Sequence, residues 1–442
     1  FSNIWEEGVY GAIFTGDMSA WLKTFDSSFH RVVEPPDFLS DDVPELQQRD
    51  KRQRVSNRTF SKVIAADHDE TWQESRQEQL EAGLHKMVGL ISCWTRCETA
   101  DILNSSASFE AKVQVMSDVL AGRAPATITK CSRSLEKVTA GVHEMGQSFP
   151  CSERAFYEFL CYERSRGAPC SRLQSYRQCI AFAVYVMGVD ELKPCVLSRR
   201  CLGCAVDNSP KEPNQAPPLT LAQLKIFHDV VRFAEDDWDR VAAGTILQCV
   251  YTRSWWADLV HMDSFYIDVD EHDQWLSIEA HVGVHKRMRS AQHRHRLLPL
   301  SAPALGVVEG EWLQPWFKAR TSLGLLDPPQ ATIMPAPNAE GLPSRRPVRS
   351  KEIASWANKL IEDRTGMQPQ PHLSSHSMKA TLLSWAAKRG VAVCDRLHFG
   401  YHADGAGVAQ VYSRDNAARS LHILDAMLAE VRSGYFMPDC GR

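Results

Sequence analysis

No apolar run in this 442-residue chain approaches the length of a membrane span, and no basic, then apolar, then small-residue succession follows Phe1. These absences exclude a helical membrane protein. They point to a soluble, intracellular protein, nuclear if its host is eukaryotic, and Phe1 in place of an initiator methionine suggests a fragment or processed piece. An excess of basic charge is also lacking: 50 lysines and arginines face 54 aspartates and glutamates, a formal net charge of −4. A uniformly positive coat is thereby excluded. Thirteen cysteines are present but follow no repeating spacing, which fits a reducing compartment better than a disulfide framework. Cys195, Cys201 and Cys204 form the one local cluster. A zinc ion there needs a fourth ligand, from Cys131 or a histidine, and small buried side chains are the commoner reading. No internal repeat at a fixed period is apparent.

Where charge does collect, it is local. HKRMRSAQHRHR (285–296) carries Lys286, Arg287, Arg289, Arg294 and Arg296 with no acid among them, and SRRPVRSK adds Arg345, Arg346, Arg349 and Lys351. Such stretches meet phosphates or form solvated loops. Residues 1–107 are heterogeneous, a region of unknown role, and polar where DHDETWQESRQEQLEAG falls. Across 108–204 apolar residues recur at helical spacing in FEAKVQVMSDVL, RSLEKVTAGVHEM, RAFYEFLCYERSR and RLQSYRQCIAFAVYVMGV, with Ser152 placed to cap the third segment. This predicts a compact helical bundle. AVDNSPKEPNQAPP (205–218) reads as a linker. Within 219–442, TLAQLKIFHDVVRFA and WDRVAAGTILQCVYTRSWWADLVHM are helical, SFYIDVDEHDQWLSIEAHVGVHKRMR and HRLLPLSA alternate like short strands, and helices return to the end. The expected fold is mainly α with a small β-sheet, a helical domain followed by an α+β domain.

One segment raises a chemical question. QVYSRD (410–415) sets Tyr412 among small polar and charged neighbours, where a packing residue and a nucleophile look alike. Upstream, HSMKATLLSWAAKRG (376–390), RLHFGYHADG (396–405) and VYSRD (411–415) follow, in that order, a predicted strand pair bearing Lys286. This ordered set resembles the catalytic half of the tyrosine recombinases, the phage-integrase family. Its wording, HSxKAT then GYH then YSRD, looks most like the recombinases of DIRS-like retroelements. The resemblance covers roughly residues 108–442, with the helical bundle similar to the family's core-binding domain.

The resemblance implies a DNA recombinase or integrase that cuts and rejoins double-stranded DNA through a 3′-phosphotyrosyl intermediate, working as a homo-oligomer, a tetramer on paired sites. It needs no metal or other cofactor. A phosphodiester under attack accumulates negative charge, so cationic donors must be fixed around it in advance. The phenol is a poor nucleophile while protonated and the leaving sugar oxygen needs a proton, so a base and an acid must flank the phosphate. By resemblance Tyr412 is the nucleophile, Lys286 protonates the leaving oxygen, His376 is a general base or phosphate donor, and His402, ten positions before Tyr412, donates to the phosphate. In the related proteins the tail after the tyrosine docks on a neighbouring protomer. Here Leu421, Leu424, Leu428 and Val431, widened by Ile423 and Met427, form an apolar stripe suited to that contact.

Two positions depart from the family. Lys379 stands where most members have arginine, keeping the charge but losing the rigid fork that grips two oxygens. The family's first arginine normally precedes an acidic residue by three, which here matches Trp255 to Asp258. The nearest arginine is Arg253, and on a regular helix two positions amount to a rotation of about 200°, away from the site. Either the turn is irregular and Arg253 serves, or the site is damaged. The damaged alternative is a catalytically impaired, recombinase-derived DNA-binding protein. Type IB topoisomerases share the chemistry, but their own core motifs are not evident. A helical interaction protein without nucleic acid is disfavoured by the ordered motifs.

Overall fold

The computed structural model describes residues 32–33, 58–65, 70–94, 98–206, 215–282, 298–325, 332–401 and 418–440. Lys286, His402 and Tyr412 lie outside them. The described chain is mainly helical with two small antiparallel sheets, built around two separate hydrophobic cores.

The first described elements belong to the core farther along the chain. Strand β1 (Val32–Val33) pairs with a strand 230 residues later, and helix α1 (Thr59–Val63) buries Phe60 in that same core. Thr59 Oγ1 donates to Asp239 Oδ2 at 3.0 Å, and the Ala65 N–H donates to Glu352 Oε1 at 3.0 Å. The bundle follows, as α2 (Trp72–Ser92), α3 (Glu98–Asn104), α4 (Phe109–Val119), α5 (Pro125–Glu144), α6 (Glu153–Ser165), α7 (Cys170–Met187), α8 (Lys193–Leu197) and α9 (Arg199–Cys204). Ser152 caps α6 by accepting from the Ala155 N–H at 3.2 Å. Thr71 caps α2 through a reciprocal pair with Glu74. The bundle core draws on Leu84, Met87, Val88 and Ile91 of α2, so the polar-looking stretch after residue 70 is one side of an amphipathic helix whose other side is buried. Cys195, Cys201 and Cys204 are buried in this core, and among the described residues no group of histidine, cysteine or acidic side chains is arranged to hold a metal. No described helix is long and apolar enough to cross a membrane.

The second core is assembled from α10 (Leu221–Phe233), α11 (Asp237–Tyr251), α12 (Trp256–Leu259), strands β2 (Met262–Val269), β3 (Trp275–Val282) and β4 (Leu298–Pro303), α13 (Leu313–Ser322), the hairpin β5 (Pro335–Pro337) and β6 (Pro343–Pro347), α14 (Ser350–Thr365), α15 (Ser375–Lys388), α16 (Val393–Phe399) and α17 (Ala418–Arg432). Strands β1 to β4 lie in chain order, with Phe265 opposite Ala280 and Ile267 opposite Ile278. The sheet's buried face meets α13 where the Phe265 and Phe317 rings approach to 5.2 Å. Helix α11, buried on every side, is the central rod. The bundle meets this domain where the Trp72 and His261 rings approach to 4.2 Å at a tilt of 51° and Arg345 pairs with Glu74 at 3.2 Å.

One buried and one half-buried histidine make the fold sensitive to acid. His228 Nε2 lies 2.7 Å from Tyr251 Oη, which accepts from the Val307 N–H, and burial pushes the histidine pKa down to about 3. Burial, reinforced by Arg76, pushes His261 down to about 4. Both folded values lie below the unfolded value of 6.5, so their contribution is complete above 6.5 and is lost as pH falls towards 3. Asp239, pushed up to about 6 by burial, opposes part of this because it takes a proton more readily when folded. Unfolding free energy should fall between pH 7 and pH 4, with His228 contributing on the order of 3 kcal/mol. Denaturant titrations at the two pH values should show a smaller fall for His228→Gln, which keeps an acceptor for Tyr251. Equal falls in parent and variant would remove His228 as the cause.

Candidate active site

The site begins where α11 stops. The Arg253 N–H bonds to Val250 O at 3.0 Å and the Ser254 N–H to Cys249 O at 3.2 Å, the bonding pattern that closes a helix around one left-handed residue. That residue is usually glycine, but here it is Arg253, at φ 52°. A side chain in this conformation costs about 1–3 kcal/mol and persists only where its surroundings over-determine it. Trp255 is already extended and α12 starts at Trp256, so Arg253 and Asp258 do not share a regular helix and the 200° argument does not apply.

The Arg253 side chain runs inward and is only 1% exposed. Its Nε donates to Phe399 O at 3.0 Å, its Nη1 to Tyr251 O at 2.5 Å and its Nη2 to Tyr401 Oη at 3.2 Å. The guanidinium carbon also sits 4.3 Å from the Phe399 ring centroid and 5.7 Å from that of Tyr401. Burial draws the Arg253 pKa down while the neighbouring Tyr401 draws it back up. Tyr401 is itself left-handed, at φ 59°.

Helix α15 supplies the second part. Ser374 precedes it, donating its N–H to Ser377 Oγ at 3.1 Å. His376 lies exposed in the first turn, and Lys379 one turn on is buried. The His376 ring meets the Trp255 ring edge-on at 4.9 Å, and Lys379 Nζ lies 4.6 Å from the Trp255 centroid and 3.3 Å from Gly400 O. Three stretches far apart in sequence, 253–255, 376–379 and 399–401, therefore converge. The indole of Trp255, not a guanidinium, lies against His376 and Lys379.

Past residue 401 the described chain resumes at α17, whose Arg419 pairs with Asp395 of α16 at 2.8 Å. Helix α17 turns Leu424, Met427, Leu428 and Val431 into the core of its own domain, so this part of the stripe is covered within the chain, while Leu421 and Ile423 are half-buried. The motif spacing gave no hint that Tyr401 and Phe399 partner Arg253. Only the GYH wording draws attention to that segment, since a left-handed conformation at a non-glycine residue leaves no pattern in sequence.

No family model and no curated relative matches the chain. Among solved structures it is similar to the XerH site-specific recombinase bound to palindromic difH substrate in a post-cleavage complex, at 11% identity and TM-score 0.42, covering 84% of this chain and 99% of that one. It is also similar to the Tn1549 transposon integrase (residues 82–397) in complex with circular intermediate DNA, at 11% identity and TM-score 0.36, covering 75% and 94%. The XerH pre-cleavage complex gives 9% identity and TM-score 0.32, covering 73% and 88%. At this identity and superposition the likeness assigns no residue a role.

Proposed function

We propose that this protein is a tyrosine recombinase that cuts and rejoins double-stranded DNA, binding the duplex with the 108–204 part of its helical bundle and its catalytic domain (219–442) and assembling as a tetramer on paired sites. One observation carries this reading: the ordered motifs resembling that family are brought together, as far as they are described, by the convergence of 253–255, 376–379 and 399–401. In the proposed reaction Tyr412 Oη attacks the phosphorus as its proton passes to a base, for which His376 is the candidate. The P–O5′ bond breaks, Lys286 protonates the departing oxygen, and a 3′-phosphotyrosyl link remains. The free 5′-hydroxyl of another strand reverses the step. Lys379 and His402 offset charge on the non-bridging oxygens, and Arg253 supports this cage from the buried side. The chemistry needs no metal or cofactor, and phosphate contacts make binding steeply salt-dependent. The finer assignment to DIRS-like elements, and with it a nuclear location in a eukaryote, rests on the HSxKAT, GYH and YSRD wording alone.

A randomised pool of nicked duplexes tests this reading. Cleavage beside the nick releases a short fragment and traps the protein covalently, so a denaturing gel should show a shifted band. Protein that binds duplex DNA and yields no adduct anywhere in the pool would sink the catalytic reading.

A second reading, a recombinase-derived protein with impaired chemistry, is favoured by the Trp255 ring lying against both His376 and Lys379. If the cation cage is what is weakened, Trp255→Arg combined with Lys379→Arg should raise adduct formation at least about tenfold, because each adds planar donors. A double variant that folds, binds DNA and cleaves no better than the parent would refute the weakened cage.

A further inference from the structure

Arg253 does not present an open guanidinium to a ligand. All three of its nitrogen groups bond within the chain, to Tyr251 O, Phe399 O and Tyr401 Oη, and both aromatic rings of 399–401 face it. Lys379 Nζ reaches the carbonyl between them, that of Gly400. Three consecutive residues are thus held by two cations, one from the end of α11 and one from α15. The buried charge is met by carbonyl dipoles, a hydroxyl and π faces. The left-handed Arg253 and the left-handed Tyr401 are the two ends of one short bridge.

We propose that Arg253 is a positioning residue: with Tyr401 as its partner, it fixes the 399–401 turn from which the chain leads on to His402 and Tyr412, and so sets the rate of the chemical step without touching the phosphate. The role in catalysis rests on the recombinase reading, while the bridge itself does not. A planar fork suits the task because it meets two carbonyls and a hydroxyl at once, whereas a lysine ammonium is a point donor on a flexible stem. Displacing a reacting group by about 1 Å is enough to cost about a hundredfold in rate.

The test compares the full-length parent with Tyr401→Phe, which removes one acceptor, and Arg253→Lys, which keeps the charge and loses the fork. Amide hydrogen exchange is followed at residues 252–255 and 399–401, with the single-turnover rate of adduct formation on nicked duplex and the salt dependence of DNA binding. Exchange at 399–401 should rise at least about tenfold and the adduct rate fall about tenfold or more, with affinity and its salt slope unchanged. A direct phosphate contact would instead lower affinity in Arg253→Lys through loss of the two-pronged grip, and that result would overturn the proposal. So would unchanged exchange, or raised exchange with an unchanged rate. Should Arg253→Lys fail to fold, Tyr401→Phe alone decides between these outcomes. A parent that forms no adduct would defeat the recombinase reading, and the exchange measurement would still decide whether Arg253 holds the turn.

Discussion

Tyr412→Phe is expected to lower the rate of covalent capture on nicked duplex by at least about a thousandfold while leaving DNA affinity within about twofold. The effect is large because, in the proposed reaction, the phenolic oxygen of Tyr412 is the atom that bonds to phosphorus. Affinity is spared because the neutral phenol releases no counterions from the duplex. Two other tyrosines provide the contrast. Tyr401→Phe should slow the reaction yet still give the same adduct, since its hydroxyl accepts from Arg253 Nη2. Tyr435, 85% exposed near the end of the chain, should be replaceable without effect. Digestion of the trapped complex should place the label on the peptide carrying Tyr412, and a normal adduct yield from Tyr412→Phe would end the assignment.

Ending the chain after residue 418 should leave insoluble protein, or a catalytic domain whose melting temperature falls by more than about 10 °C. Leu424, Met427 and Leu428 of α17 are fully buried and Val431 nearly so. Burying four such side chains stabilises by roughly 6–12 kcal/mol, comparable to the whole stability of a typical domain. Polar ties add to this. Arg432 donates to Gly306 O at 2.6 Å, Arg389 pairs with Glu430, and the Leu221 N–H donates to Asp439 Oδ2 at 2.8 Å. Differential scanning calorimetry measures the loss. A soluble truncated protein melting within a few degrees of the parent would mean that α17 is dispensable to this core and free to serve a neighbour.

The apolar stripe of α17 shows where local pattern stops. Its helix and its buried side are legible in residues 421–431, but an amphipathic helix looks the same whether its apolar side meets its own domain or a partner. The surface that receives it is made by residues such as those of β4, more than a hundred positions earlier. The segment after residue 70 is the converse case. Polar by composition, it is anchored by a reciprocal cap at Thr71 and Glu74 and buries Leu84, Met87, Val88 and Ile91 in the bundle.

What the sequence by itself determined is what short-range physics encodes: the helices of 109–187 with the Ser152 cap and the strand pair across 262–282. Hydrophobic period, capping and turn chemistry act over a few residues, so they can be read locally. Only the tertiary structure decided that Phe60 belongs to the second core, that Trp255 lies against His376 and Lys379, and that Arg253 turns inward to Phe399 and Tyr401. The left-handed turn at Arg253 is unfavourable by its own propensity. It is held by partners some 150 positions away, at Phe399 and Tyr401, which no local pattern announces.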